Sequence, residues 1–262
     1  MTATLFCDKI DRSIFRNRGE FMSITVCTVS GKGGTGKSTV SSGLSIAAAN
    51  MGAKVLLIDL DTGLRCLDMI FGIDDKVVFD LSDALEESDL KKATYQAEEY
   101  QNIFVVPAPA QGEKIDYPEL NRLIKKESSD FDYIILDFPA GADFGNYNIF
   151  ADALFLIISG ADDVSTRDAG IISRGITCAK PPRLIINRFD IDMIKCGMYK
   201  NIDSIIDTSA SRLLGIVPAD GELLLLQRTH TLRNKGRALK AFTRILKRIS
   251  GEDVRLPKLK KI

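Results

Sequence analysis

Ten consecutive residues, Ser30-Gly31-Lys32-Gly33-Gly34-Thr35-Gly36-Lys37-Ser38-Thr39, carry the clearest chemistry in the sequence. They satisfy G-x-x-x-x-G-K-[ST] and lie between an apolar β-like run, Ile24 to Val29, and a helix-forming segment, the context that a phosphate loop requires. Glycines let the backbone wrap closely enough to aim several N–H groups at phosphate oxygens, and the positive end of the following helix adds to the attraction. In such a loop Lys37 reaches the β- and γ-phosphates of a nucleotide and the Ser38 hydroxyl ligates Mg²⁺. The run Gly31, Lys32, Gly33, Gly34, Thr35, Gly36, Lys37, Ser38 and Thr39 is therefore the expected nucleotide-binding segment.

Carboxylates close two of the apolar runs. Val55-Leu-Leu-Ile-Asp59-Leu-Asp61 places two acids two residues apart, so strand alternation sets both on one side at the carboxyl end of a sheet, where ligands bind. Either acid alone reads equally as a turn residue or a helix cap; paired downstream of a phosphate loop, they point to Mg²⁺ or to an attacking water. Tyr133-Ile-Ile-Leu-Asp137 is a second such strand, and an acid at its end is the arrangement that holds Mg²⁺, usually through water. Ser38, Asp59 and Asp137 are the expected metal set. The Pro139-Ala-Gly141 that follows is a candidate nucleotide-sensing switch, because glycine can absorb backbone rotation.

These groups need a scaffold, and the apolar pattern supplies one. Strand-length runs recur at Lys54 to Asp59, Asn102 to Val106, Tyr133 to Asp137, Ala153 to Ile158, Arg183 to Asn187 and Leu213 to Val217. They are uniformly apolar rather than alternating, as in strands of a parallel sheet buried on both faces. Helical segments are expected at Lys37 to Met51, Pro118 to Glu127, Asp163 to Cys178 and about Gly236 to Ile249. The alternation predicts an α/β fold with a doubly wound, mostly parallel central sheet and helices on both faces. Pro107-Ala-Pro-Ala-Gln-Gly112 reads as a surface loop, not an interdomain linker.

The chain has 262 residues, 45% of them apolar and 27% charged, which excludes bulk disorder and suits one large domain. Residues 1–22 lack clear periodicity and end at Met22, which directly precedes the first β-like run; they are expected to be an extension, with Met22 the native start. Cys7, Cys27, Cys66, Cys178 and Cys196 are odd in number and contain no Cys-x-x-Cys pair, so neither a disulfide framework nor a metal cluster is suggested and a reducing cytoplasm fits. No apolar run approaches the roughly 18 residues that a membrane-spanning helix needs.

Lys plus Arg equals Asp plus Glu at 35 each, which on its face excludes a uniformly basic nucleic-acid binder. The zero is a cancellation: residues 227–262 hold twelve Lys or Arg against Glu252 and Asp253, and the preceding 226 residues carry the opposite excess of ten. An anionic surface stays open as a partner.

Lys32 is not needed by a generic phosphate loop. With it, Lys-Gly-Gly-Thr-Gly-Lys-Ser resembles the deviant Walker A loop of the P-loop NTPases that include MinD, ParA and the nitrogenase iron protein. Asp59-Leu-Asp-Thr-Gly-Leu-Arg-Cys-Leu-Asp68, Met69-Ile-Phe-Gly72, Val77-Val-Phe-Asp-Leu81, Asp137-Phe-Pro-Ala-Gly141, Ser165-Thr-Arg-Asp168, Ile185-Ile-Asn-Arg188 and Leu214-Gly-Ile-Val-Pro218 resemble the MinD branch. The likeness covers essentially residues 23–250 and implies an ATPase domain there, followed by a short basic tail, 251–262. It departs from the usual MinD pattern at Cys66 (Asn), Phe138 (Ser) and Ala161-Asp162 (Pro-Glu); the last puts a cross-dimer nucleotide contact from Asp162 in doubt.

The resemblance implies an enzyme that hydrolyses ATP with Mg²⁺, dimerises on ATP, associates peripherally with the inner face of the membrane and helps to position the bacterial division septum. Lys32 would act in trans across a face-to-face dimer. Asp61 would orient the hydrolytic water, Asp137 would serve Mg²⁺, and Asn187 and Arg188 would contact the adenine, the alternative for the last pair being a strand-ending turn. Catalysis would thus rest on Lys32, Lys37 and Asp61. A division inhibitor or activator is the implied partner, with anionic lipid favoured over DNA. The alternatives are a regulator of flagellar number, a ParA-like partition ATPase on DNA, a nucleotide-binding adaptor without turnover, and a P-loop kinase or ligase of small molecules. In the tail, Val254, Leu256, Leu259 and Ile262 could form an apolar stripe beside Arg255, Lys258, Lys260 and Lys261, interrupted by Pro257.

Overall fold

The computed structural model describes residues 23–257 apart from 111, 200, 234 and 235, together with a short antiparallel ladder of Arg16–Asn17 against Glu20–Phe21. Met22, the expected start, and residues 258–262 of the tail lie outside the described residues.

Eight strands form the main sheet: β1 Ile24–Val29, β2 Val55–Asp59, β3 Tyr95–Gln96, β4 Ile103–Val106, β5 Tyr133–Asp137, β6 Leu154–Ser159, β7 Arg183–Phe189 and β8 Arg212–Pro218. Their order is β8-β7-β6-β1-β5-β2-β4-β3, parallel throughout except for the edge pair β3–β4. Every residue of β2 and β5 is buried, as their unbroken apolar runs require. Each fully buried Val, Leu or Ile contributes about 1.5–3 kcal/mol relative to exposure, so these central strands are strongly held.

Among the described residues ten α-helices accompany the sheet: α1 Lys37–Asn50, α2 Leu67–Ile70, α3 Leu81–Glu86, α4 Tyr117–Glu127, α5 Phe144–Tyr147, α6 Asp163–Gly175, α7 Ile191–Lys195, α8 Ile202–Ser209, α9 Gly221–Thr229 and α10 Arg237–Ile249. Two apolar cores result, one on each face. On one face Leu44 and Ala48 of α1 and Phe242 and Ile245 of α10 pack against Val26, Leu57 and Ile135. On the other, Leu120 and Ile124 of α4 and Ala169 and Ile172 of α6 pack against Cys27, Ile58 and Leu136. The fold is the doubly wound, mostly parallel α/β architecture that the apolar pattern predicts.

The small residues of α1 have a packing role. A Cβ on Gly43 would stand 2.1 Å from the Phe242 ring, so the helix approaches α10 only because that position carries no side chain. Phe242 is fully buried there.

Two expectations fail locally. The helix expected to reach Cys178 ends at Gly175: β-branched Ile176 and Thr177 disfavour continuation, and the Thr177 and Ala179 amides donate instead to Asn148 Oδ1 and the Ala151 carbonyl. The loop after β4 reaches the surface only in its second half, where Ala110 and Gly112 are exposed. Pro107, Ala108 and Pro109 are buried, and the carbonyls of Pro107 and Pro109 accept from the amides of Leu81 and Gly63. Apolar, donor-poor Pro-Ala-Pro suits such a seat. Strand β3 and the short helices α2, α3, α5, α7, α8 and α9 add to the expected set.

Candidate functional site

The phosphate loop leaves the central strand β1 and enters α1, at the point where the chain's connections diverge to either side of the sheet. Ligands of open α/β sheets bind at such a switch point. Gly34 and Gly36 have φ of 79° and 88°, in the left-handed region that glycine alone adopts readily. Gly36 caps α1 without a side-chain hydrogen bond, so the first helical N–H groups are left for a ligand. The loop is braced from outside. Asn187 Nδ2 donates to the Thr35 carbonyl at 2.8 Å, the Gly141 amide donates to the Ser30 carbonyl at 2.9 Å, and Ser30 Oγ donates to the Lys32 carbonyl at 3.0 Å. Lys37 is buried within this fold of the chain, whereas Lys32 is exposed.

Strand register brings the acids together. Asp59 and Asp137 are direct neighbours at the ends of β2 and β5, and Thr28 of β1 pairs with Asp137 on its other side. Oδ1 of Asp137 accepts from Thr28 Oγ1 and Ser41 Oγ, each at 3.0 Å. Oδ2 of Asp137 is fully buried with no hydrogen-bond partner among the described residues. Burial raises the Asp137 carboxyl, while Lys37 and the Ser38 hydroxyl beside it act in the opposite direction. Asp59 is pushed up to about 7 by burial and by Asp137. Its two oxygens accept from the amides of Asp61, Cys66 and Leu67, which ties the Asp61 loop and the start of α2 to the strand end. Asp61 is partly buried; burial raises its carboxyl and Lys37 opposes the rise. The structure therefore gathers Lys37, Ser38, Asp59, Asp61 and Asp137 at one place.

Sequence reasoning did not single out Thr28 or Ser41 as part of this network. Their signal was present: a polar residue in the otherwise apolar end of β1, and a buried serine one turn into α1. Cys66 also belongs here. Burial pushes its thiol up to about 12, against the Ser38 hydroxyl, and Asp59, Asp137 and Asp61 add to the rise.

Beside the loop lies a cavity of about 250 Å³, walled by Lys32 to Thr35, by Gly160 to Asp162 with Ser165, and by Asn187, Arg188 and Tyr199. Asp162 caps α6 through the Ser165 amide at 3.0 Å. Its partial burial is outweighed by the Ser165 hydroxyl and amide and by Lys32, so its carboxyl sits below the usual range. Asn187 Oδ1 and Thr35 Oγ1 are buried without partners among the described residues.

A nucleotide and a divalent cation fit these residues. The uncapped start of α1 and Lys37 could take phosphates, and the unpartnered Asp137 Oδ2 beside the Ser38 hydroxyl is the hard oxygen that Mg²⁺ prefers. Residues 26–232 match the CobQ/CobB/MinD/ParA nucleotide binding domain.

The chain belongs to that family.

Within the CobQ/CobB/MinD/ParA family it is similar to the septum site-determining protein MinD of Helicobacter pylori, 33% identical over 248 residues that cover 89% of this chain and 92% of the relative. The MinD of Bacillus subtilis is 32% identical over 247 residues, covering 90% and 92%. Among solved structures, MinD in the MinC:MinD cell division complex of Aquifex aeolicus superposes with a TM-score of 0.79 at 30% identity, covering 90% of this chain and 99% of that one.

Proposed function

We propose that this chain is a MinD-like, Mg²⁺-dependent ATPase that dimerises on ATP, associates peripherally with a membrane and helps to place the division septum. The observation that supports this reading best is the exposed Lys32 ahead of a buried Lys37 in one phosphate loop, in a chain similar to MinD proteins over nine-tenths of its length. A lysine that points to solvent from a phosphate loop is free to serve a second copy's nucleotide, as an arginine finger does in other phosphoryl-transfer enzymes.

Lys37 holds the β- and γ-phosphates. Ser38 and the open oxygen of Asp137 hold Mg²⁺, and Asp59 supports them by fixing the Asp61 loop. When bound, Mg²⁺ neutralises charge on the phosphate oxygens. Asp61 orients the attacking water. Asn187 has its Nδ2 committed to the Thr35 carbonyl, so Oδ1 is presented to the ligand as an acceptor. An acceptor there suits the exocyclic amine of adenine and repels the carbonyl of guanine. The Arg188 backbone is left-handed, φ 53°, which turns its side chain along the same wall.

ATP hydrolysis is then a timer that ends the dimeric state. The MinC:MinD complex of Aquifex makes a division inhibitor of that class the expected protein partner. Residues 23–250 form the ATPase domain, residues 1–22 an extension, and residues 251–262 the tail that meets anionic lipid. No helix among the described residues is long and apolar enough to cross a membrane. Co-sedimentation of the full chain with anionic vesicles and with duplex DNA, with and without ATP, tests the lipid contact. ATP-dependent pelleting with vesicles is expected; pelleting with DNA alone would overturn the membrane reading.

A further inference from the structure

The cavity beside the phosphate loop has one aromatic residue in its lining, Tyr199, from the segment between α7 and α8. The segment doubles back by a local device: Gly197 has φ 77°, and the amides of Met198 and Tyr199 both donate to the Met193 carbonyl, at 2.9 and 3.1 Å. That turn leaves Met198 exposed and Tyr199 half-buried at the cavity. The Tyr199 hydroxyl makes no hydrogen bond to any described residue, so the ring is held in its present place by apolar packing against the core on the α6 side of the sheet and by no polar contact among the described residues. The opposite requirement comes from the base. Asn187 reads only an edge, through Oδ1, and an edge contact leaves both faces of a purine in need of cover.

We propose that Tyr199 closes on the purine of the bound nucleotide and stacks on one of its faces, making the α7–α8 segment a base clamp. This rests on the nucleotide site proposed above and adds a residue and a segment to it. Stacking is tolerant of base identity because every base has a π-face. Discrimination between adenine and guanine therefore stays with Asn187, and Tyr199 supplies affinity that any purine would share.

The test compares ATP with ribose 5-triphosphate, which keeps the phosphates and lacks the base, by calorimetric titration of the full chain in Mg²⁺. In the wild type ATP binds more tightly than ribose 5-triphosphate. Tyr199→Ala is expected to weaken ATP by roughly tenfold and leave ribose 5-triphosphate unchanged, which also shows that the variant is folded. Tyr199→Phe is expected to restore ATP affinity and Tyr199→Leu to restore little of it. Equal ATP affinity in wild type and Tyr199→Ala would overturn the clamp while leaving the site intact. Equal losses for both ligands would assign Tyr199 a structural role and overturn it too. A wild type that binds neither ligand would overturn the nucleotide site, and the clamp with it.

Discussion

Two lysines five residues apart in one loop have opposite environments, and their substitutions separate accordingly. Lys37→Ala removes the buried cation that faces Asp61 and Asp137; nucleotide binding is expected to be lost, as read by titration with ATP. Lys32→Ala alters an exposed group, so ATP binding by the monomer is expected to survive while ATP-dependent dimerisation and turnover fall by a hundredfold or more, the roughly 10³–10⁵-fold range of an arginine finger being the guide. Unchanged dimerisation and turnover would contradict a lysine acting in trans. The neighbouring acids give a pH signature in the metal-free protein. Asp59 moves from 3.8 to about 7 on folding, because of burial and Asp137. Between those values the folded chain binds more protons than the unfolded one, so stability falls as pH rises through the window. The cost in the ionised state is a few kcal/mol. Thermal unfolding with a chelator should therefore show a lower Tm at pH 8 than at pH 5. Mg²⁺ should recover part of the loss at pH 8, and Asp59→Asn should flatten the slope whatever it does to the absolute Tm.

Elements rather than single residues decide how much could be read in advance. The sheet was legible because β2, β5 and β6 are unbroken apolar runs, and a strand buried on both faces leaves no other pattern. The phosphate loop was legible because its chemistry is local: strand, glycines, lysine, helix. The partner of Asp137 was not, since Thr28 and Ser41 reach it only through register between β1 and β5 and through the first turn of α1. Nor was the buried seat of Pro107 to Pro109, whose cover comes from α3 and the Asp61 loop far away in sequence. Asn187 was marked as a base contact from its motif, but its brace on the Thr35 carbonyl is a tertiary fact. That brace makes Gly36 a sensitive position. A Cβ there would lie 2.3 Å from Asn187 Nδ2 in a backbone with φ 88°, so Gly36→Ala is expected to weaken ATP binding at least tenfold by displacing either loop or brace. Gly43→Val is expected to act elsewhere, opening the α1–α10 contact against Phe242 at a cost of about 1–3 kcal/mol. Chemical denaturation should detect the second change, and nucleotide titration mainly the first.

At the scale of the whole molecule, the charge excess of the last 36 residues is less available than its count suggests. Arg233 pairs with Glu222, Arg237 lies 3.9 Å from Asp220, and Lys247 lies 3.7 Å from Glu252. Arg248 is spent on the carbonyls of Val254 and Leu214, each at 2.7 Å, and its guanidinium is made less basic by burial and by Arg244. Helix α10 meanwhile turns Leu239, Phe242, Ile245 and Leu246 into the core, so its apolar face is not free for lipid. What remains for an anionic surface among the described residues is exposed Arg228 at the end of α9, Lys240 and Arg244 on the back of α10, and Arg255; the sequence adds Lys235, Lys258, Lys260 and Lys261. Residues 252–257 are not helical; Arg248 ties the Val254 carbonyl back to α10, and beyond it Arg255 and Leu256 are exposed. Ending the chain at Gly251 removes Arg255, Lys258, Lys260 and Lys261 together with Glu252 and Asp253, a net loss of two positive charges. At about 1 kcal/mol for each basic residue near an anionic leaflet, vesicle binding should weaken roughly thirtyfold. ATPase activity without vesicles should be unaffected, because these residues lie beyond the last core helix. Raising salt from about 0.05 to 0.5 M shortens the screening length severalfold, so the full chain should lose vesicle binding while the shortened one, already weak, changes little. Salt-insensitive binding of the full chain would place its lipid contact on apolar groups such as Leu256 instead of on charge.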